Sequence, residues 1–173
     1  SASGYGKVDF EGYVNFNDAN AEYKFTSFPE WKGEFGVGAT AGTLDPKGAN
    51  LKIPAAGYYK LEVDSEKLTY KATKQVWGIV GNGTPGGWDA DTPMTYDKVT
   101  KKWTVTAVLT TQAAPDNGLK FRANNDWNFN FGDTGADGKL EAGGTNIGTT
   151  AGTYLITLDL SNPRAYTYTM VKI

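Results

Sequence analysis

In 153-TYLITLDL-160, Tyr154, Ile156, Leu158 and Leu160 fall on one face of an extended chain. Side chains along a strand alternate between faces, so this segment reads as a strand with one face turned to a core. The stretch 103-WTVTAVL-109 does the same with Trp103, Val105, Ala107 and Leu109, and 58-YYKLEV-63 mirrors it with Tyr59, Leu61 and Val63. Working outward, further strands are predicted at 7–16, 76–81, 118–123, 127–131 and 165–171. Turn chemistry separates them at Asn82-Gly83, Pro85-Gly86-Gly87, Asp116-Asn117-Gly118, Asp137-Gly138 and Gly143-Gly144. About seven short strands per hundred residues predict an all-β chain built as immunoglobulin-like β-sandwich.

Composition agrees. Glycine, threonine and aromatic residues are abundant, and no run of alanine, leucine, glutamate and lysine recurs at helical spacing. The 173 residues suffice for one large or two small β domains. The net charge is −2, with no basic cluster in either half, which argues against nucleic acid as a partner. Cysteine and histidine are both absent, so disulfides, thiolate metal sites and the commonest general base are excluded. No cofactor or metal is expected. No apolar run approaches the roughly 20 residues that cross a bilayer as a helix, and Ser1-Ala2-Ser3-Gly4 lacks the pattern of a signal peptide.

Self-comparison reveals a repeat. Lys24-Phe25 recurs as Lys120-Phe121, Trp31 as Trp127, Phe35-Gly36 as Phe131-Gly132, Leu44 as Leu140 and Asn50 as Asn146, all 96 positions apart. With slips of a residue or two, 56-AGYY-59 faces 151-AGTY-154 and Asp64 faces Asp159. Two tandem modules are therefore expected, 1–74 and 75–173. The second opens with 76-VWGIVGNGTPGGWDADTPMTY-96, which has no counterpart in the first. The first module is expected to be truncated at its N-terminus, or to have lost its opening strands.

Two tryptophans raise the question of a site. In 121-FRANNDWNFNFGD-133, alternation puts Trp127 on one face with Phe129 and Phe131, which suits a core residue; its place beside the loop 123-ANND-126 suits a ring exposed to a ligand. Trp88 stands in 82-NGTPGGWDADTP-93, read as a glycine-rich surface loop, where it is a ligand platform or an anchor plugged into the sandwich edge. If both rings face solvent together, they form an apolar platform flanked by Arg122, Asn124, Asn125, Asp126 and Asn128. That combination suits carbohydrate, because a pyranose presents C–H faces to an indole while its hydroxyls need planar donors and acceptors. A flat tryptophan pair suits a crystalline polymer, and angled rings with amides suit a soluble, helical one.

Two other chemistries fit less well. Acidic residues around Asp137-Gly138 in 133-DTGADGKLE-141 suggest a calcium loop, but the twelfth position of an EF-hand register is Gly144, not glutamate. Turn chemistry accounts for them more simply. Asp89, Asp91, Asp126, Asp133 and Glu141 could in principle supply a glycosidase carboxylate pair, yet acids in polar turns are the rule in soluble β proteins.

The second module carries a set of landmarks: 77-WGIVG-81, 86-GGW-88, 120-KFR-122, Trp127 through Gly132, 143-GGTNI-147, 151-AGTY-154 and 159-DLS-161. Together these resemble the tandem carbohydrate-binding modules of the SusE/SusF family, surface lipoproteins of the Bacteroidetes starch-utilisation system. The resemblance covers nearly all of the second copy and most of the first. It implies β-sandwich modules at the extracellular face of the outer membrane, held by a lipid anchor upstream of this chain. There they would bind starch or another α-glucan without cleaving it, near an outer-membrane glycan transporter. The matching stacking aromatics are Trp88 and Trp127; Arg122, Asn124, Asn125, Asp126 and Asn128 are added by proximity. The first copy departs from the pattern, with 26-TSFPEW-31 in place of 122-RANNDW-127. A spacer or adhesin array with no glycan site of its own is the alternative.

Overall fold

A computed structural model describes all residues, 1–173, and they are strands, turns and loops without a helix. Contacts divide the chain into two compact units, Ser1–Gln75 and Val76–Ile173.

The first unit contains β1 (Asp9–Phe16), β2 (Glu22–Tyr23), β3 (Phe25–Thr26), β4 (Glu34–Val37), β5 (Leu44–Pro46), β6 (Leu51–Lys52), β7 (Gly57–Asp64) and β8 (Thr69–Lys74). They form a sheet β1-β7-β8, a sheet β3-β4-β5 and the short pair β2-β6. The second unit contains β9 (Trp77–Gly81), β10 (Gly87–Pro93), β11 (Thr95–Asp97), β12 (Lys102–Leu109), β13 (Lys120–Ala123), β14 (Asp126–Gly132), β15 (Glu141–Ala142), β16 (Gly152–Asp159) and β17 (Thr167–Lys172). Here a five-stranded sheet, β10-β9-β13-β14-β15, joins a four-stranded one, β11-β12-β16-β17, in an antiparallel sandwich.

The alternating strands behave as their pattern requires. Trp103, Ala107 and Leu109 of β12 and Tyr154, Ile156 and Leu158 of β16 are buried, and Leu160 follows them inward. The other sheet contributes Trp77, Ile79, Phe121 and Phe131. The sheets meet through aromatic pairs: Phe121 lies 5.6 Å from Tyr168, and Phe131 lies 5.2 Å from Tyr166. Such tilted ring pairs add on the order of 1 kcal/mol beyond the area they bury.

The acidic loop after β14 is held by its own turn chemistry. Asp133 accepts hydrogen bonds from the backbone N–H groups of Asp137 and Gly138 and from the Tyr168 hydroxyl at 3.0 Å.

One segment departs from the sequence reading. The stretch 82–93 was expected to be a loop, but only its first residues turn, and β10 pairs with β9. The register jumps between Gly87 and Thr92, so β10 is a bulged edge strand. Its glycines and proline obscured the alternation that would have marked it.

Two half-buried tyrosines make alkaline stability a measurable property. Burial pushes the Tyr23 hydroxyl up to about 12, with Tyr70 and Tyr59 adding to the effect, and that hydroxyl has no hydrogen-bond partner. Burial, and then the bond to Asp133, also raises Tyr168. An unfolded tyrosine ionises near pH 10, so these raised values contribute stability that is complete below about pH 10. That stability is lost as the pH climbs through the folded values. Thermal melts between pH 9 and pH 12 are expected to show a falling midpoint. Phenolate absorbance should show these two tyrosines ionising only with unfolding.

Candidate functional site

The site is built on the outer face of the five-stranded sheet of the second unit, from β10, β13 and β14. Phe121 points inward, so its neighbour Arg122 points outward. The strand between Arg122 and β10 is β9, where Gly78 stands opposite Arg122. Lacking a side chain, Gly78 leaves a passage; a Cβ there would come within 3.0 Å of the Asp91 Cβ and 2.9 Å of the Thr92 carbonyl oxygen. Arg122 reaches across it to Asp91. Its Nε and Nη2 both donate to Asp91 Oδ1, at 2.8 and 2.7 Å, and the two side chains are only 6% and 10% exposed.

Trp127 lies on top of that ion pair, with the Arg122 guanidinium carbon 4.4 Å from its ring centre. Simple alternation would have sent Trp127 inward with Phe131. The reason it does not is a bulge. Between the pairs Arg122↔Asn130 and Ala123↔Asp126, β13 advances one residue while β14 advances four. The three extra residues are an odd number, so the faces exchange and Trp127 comes out beside Arg122. It remains 48% exposed. Its backbone is fixed by Asn130, whose Nδ2 donates to the Trp127 carbonyl at 2.6 Å.

Trp88, half-buried in β10, completes the surface. The two indole rings are 6.0 Å apart, with their planes inclined by 41°. The structure therefore brings Trp88, Trp127 and Arg122 together. Arg122 lies beneath the Trp127 ring rather than beside it.

The polar residues expected around the rings have separate positions. Asn124 and Asn125 are the two central residues of the β13–β14 hairpin, with φ of 56° and 52°. Both are left-handed, as a type I′ turn needs, and asparagine tolerates that conformation well. Asn124 is engaged with the start of β9: its Oδ1 accepts from the Val76 N–H and its own N–H donates to the Val76 carbonyl, both at 2.9 Å. Asn125 is exposed at the turn. Asp126 Oδ1 accepts from the backbone N–H and the Nδ2 of Asn128, each at 2.9 Å, which holds the exposed Asn128 next to Trp127.

Asp91 and Asn130 were not among the predicted site residues, although one anchors the arginine and the other the tryptophan backbone. Gly78 flanked by Trp77 and Ile79 was the available signal. A glycine inside a strand often marks a close approach by something else.

The equivalent region of the first unit differs. Trp31 is 79% exposed in the loop between β3 and β4, with Phe28 also exposed and Lys32 Nζ 5.6 Å from the Phe28 ring centre.

No protein-family profile matches the chain, and no curated protein sequence is similar to it. Among solved structures, the crystal structure of SusF from Bacteroides thetaiotaomicron is similar, with a TM-score of 0.53 and 19% sequence identity. The match covers 98% of this chain and 41% of that one, so this chain spans well under half of the SusF length. At that identity the likeness is one of architecture, and the chain has a SusF-like, all-β fold.

Proposed function

We propose that this chain is a non-catalytic glycan-binding protein whose site in the second unit is the Trp88–Trp127 platform. The observation that carries the reading is the pair of indoles inclined at 41°, one of them half exposed and seated on a buried arginine. An exposed tryptophan held in place by a bulge, an ion pair and an asparagine is ordered before any ligand arrives, which lowers the entropic cost of binding. The inclination matches a chain that curves from one sugar to the next. Starch or another soluble α-glucan is the substrate class it fits, rather than the flat face of a crystalline polymer. On this reading Asn125, Asp126 and Asn128, which adjoin Trp127 in sequence, supply the polar contacts to sugar hydroxyls, while Arg122 acts through Trp127 and Asn124 through the turn.

Binding without cleavage agrees with the surroundings. Asp91 is committed to Arg122, and Asp126 to Asn128. The resemblance of the second-unit landmarks to SusE/SusF modules, and the SusF-like fold, support a cell-surface role in polysaccharide capture. On that reading the protein sits on the outer face of the outer membrane through an upstream lipid anchor, near a glycan transporter. No helix here is long and apolar enough to cross a membrane.

Native electrophoresis in gels containing starch, pullulan, dextran, xylan or mannan tests the reading. Retardation by starch and pullulan is expected. Trp127→Ala and Trp88→Ala should each weaken binding by about thirtyfold, the roughly 2 kcal/mol of an aromatic anchor at the centre of a contact. Retardation by a different polymer would reassign the glycan. No retardation by any polymer, or unchanged affinity in both variants, would leave a spacer role as the better account.

A further inference from the structure

Two Asn-Gly pairs of the second unit, Asn82-Gly83 and Asn117-Gly118, meet side by side although their asparagines are 35 residues apart in sequence. An asparagine followed by glycine deamidates readily, because without a Cβ the glycine nitrogen reaches the preceding side chain unhindered. The fold accepts no other residue at either glycine. A Cβ on Gly118 would run into the Ile147 carbonyl oxygen, and its φ of 119° is one that L side chains rarely adopt. A Cβ on Gly83 would press on the Thr149 hydroxyl oxygen at 2.5 Å. Each turn therefore has to carry a labile bond.

Deamidation begins when the glycine backbone nitrogen loses its proton and attacks the asparagine Cγ. A C–N bond forms, the side-chain nitrogen leaves as ammonia, and water opens the resulting succinimide to aspartate or isoaspartate. Water is the only co-reactant. At Asn117 the nucleophile is the Gly118 nitrogen, and Asn82 holds both partners of that reaction. Its Oδ1 accepts from the Gly118 N–H at 2.8 Å, and its Nδ2 donates to Asn117 Oδ1 at 2.6 Å. A backbone N–H can only donate, which fixes the orientation of the Asn82 amide. The same Nδ2 donates to Gln112 Oε1 at 3.1 Å, and the Asn82 carbonyl accepts from the Thr110 hydroxyl at 3.2 Å. The nucleophile that threatens Asn82 is engaged in turn, since the Gly83 N–H donates to the Gly118 carbonyl at 3.0 Å.

We propose that Asn117 is a deamidation site held in check by Asn82. In the folded chain the proton that must leave Gly118 is bonded to Asn82 Oδ1, and the Asn117 side chain is tied to the same amide. Reaction requires the turn to open first, so its rate follows the population of the opened form. Asn117 lies just ahead of β13, the strand that carries Arg122. Isoaspartate there would insert one extra carbon into the backbone that leads into the five-stranded sheet. The inference stands whether or not the second unit binds glycan.

Peptide mapping by mass spectrometry, after incubation of the 173-residue chain in mildly alkaline buffer, is the test. Asn117 is expected to deamidate about a hundredfold more slowly in the folded chain than in urea, where both Asn-Gly pairs should react at similar rates. Asn82→Ala removes the acceptor and should speed the loss of Asn117 by about tenfold. Asn82→Asp keeps an oxygen for the Gly118 N–H, and Gln112 and Asn117 can turn their amides to donate to it, so Asn117 should stay protected. Gln112→Ala leaves the Gly118 bond in place and should change the rate by less than about threefold. The comparison of folded with unfolded chain needs no variant, so a failure of Asn82→Ala to fold leaves the test intact. A folded-state rate within about threefold of the rate in urea would overturn the inference. Equal protection in wild type and Asn82→Ala would do the same. So would equal acceleration by Asn82→Ala and either Asn82→Asp or Gln112→Ala, which would assign the protection to the loop as a whole rather than to the Asn82 oxygen.

Discussion

Arg122→Ala is expected to lower the unfolding free energy by about 3–5 kcal/mol, because it leaves the buried Asp91 carboxylate without its partner. Both side chains are at most a tenth exposed, so solvent screens little of the loss. The same substitution removes the cation under Trp127, an interaction worth on the order of 1 kcal/mol, and frees the ring to reorient. Urea denaturation followed by tryptophan fluorescence measures the first effect, and glycan affinity measures the second. An Arg122→Ala/Asp91→Ala double variant should recover part of the stability, since no uncompensated charge remains. Its affinity should stay low, because the support under Trp127 is still missing. A cost below about 1 kcal/mol for Arg122→Ala would mean the pair behaves as a solvated surface bridge, and the proposed preorganisation of the platform would fail with it.

Trp77→Ala should destabilise the second unit by a comparable amount, about 3–5 kcal/mol for a large aromatic side chain removed from a close-packed interior. The ring is 1% exposed and stacked on Phe131, so its removal opens a cavity between β9 and β14. Trp77→Phe should retain most of the stability. Trp127→Ala is the informative contrast: the ring is half exposed, and its loss should cost far less stability while abolishing most of the binding. Equal destabilisation by Trp77→Ala and Trp127→Ala would place both rings in the core and remove the platform.

Trp77 also marks a difference between the two units. The side chain expected to matter most to the five-stranded sheet is the one for which the first unit has no counterpart. Phe25 and Phe35 are repeated from Phe121 and Phe131, but they lack the strand that buries them.

Much of the fold was legible along the chain. The strands at 103–109 and 153–160 were readable because period-2 alternation is local, and one buried face marks it without knowledge of the partner strand. The repeat at 96 positions was readable because packing aromatics and close-approach glycines such as Gly36 and Gly132 recur together. Trp88 and Trp127 could be nominated by residue type and by their polar surroundings.

Other features depended on which strands lie side by side, and that is not written in any one segment. The bulge opposite Ala123 exchanges the faces of β14 and turns Trp127 outward; local alternation had placed it with Phe131. The strand character of 87–93 arises from pairing with β9, against the local preferences of its glycines and proline. Arg122 and Asp91 are 31 residues apart in sequence and meet only because Gly78, in the strand between them, has no side chain. The chain by itself determined the all-β character, the inward-facing residues of the regular strands and the candidate aromatic pair, since each follows from residue type and short-range spacing. Tertiary structure alone decided the strand order, the register, the 41° inclination of the rings and the ion pair beneath Trp127, because each is set by non-local pairing.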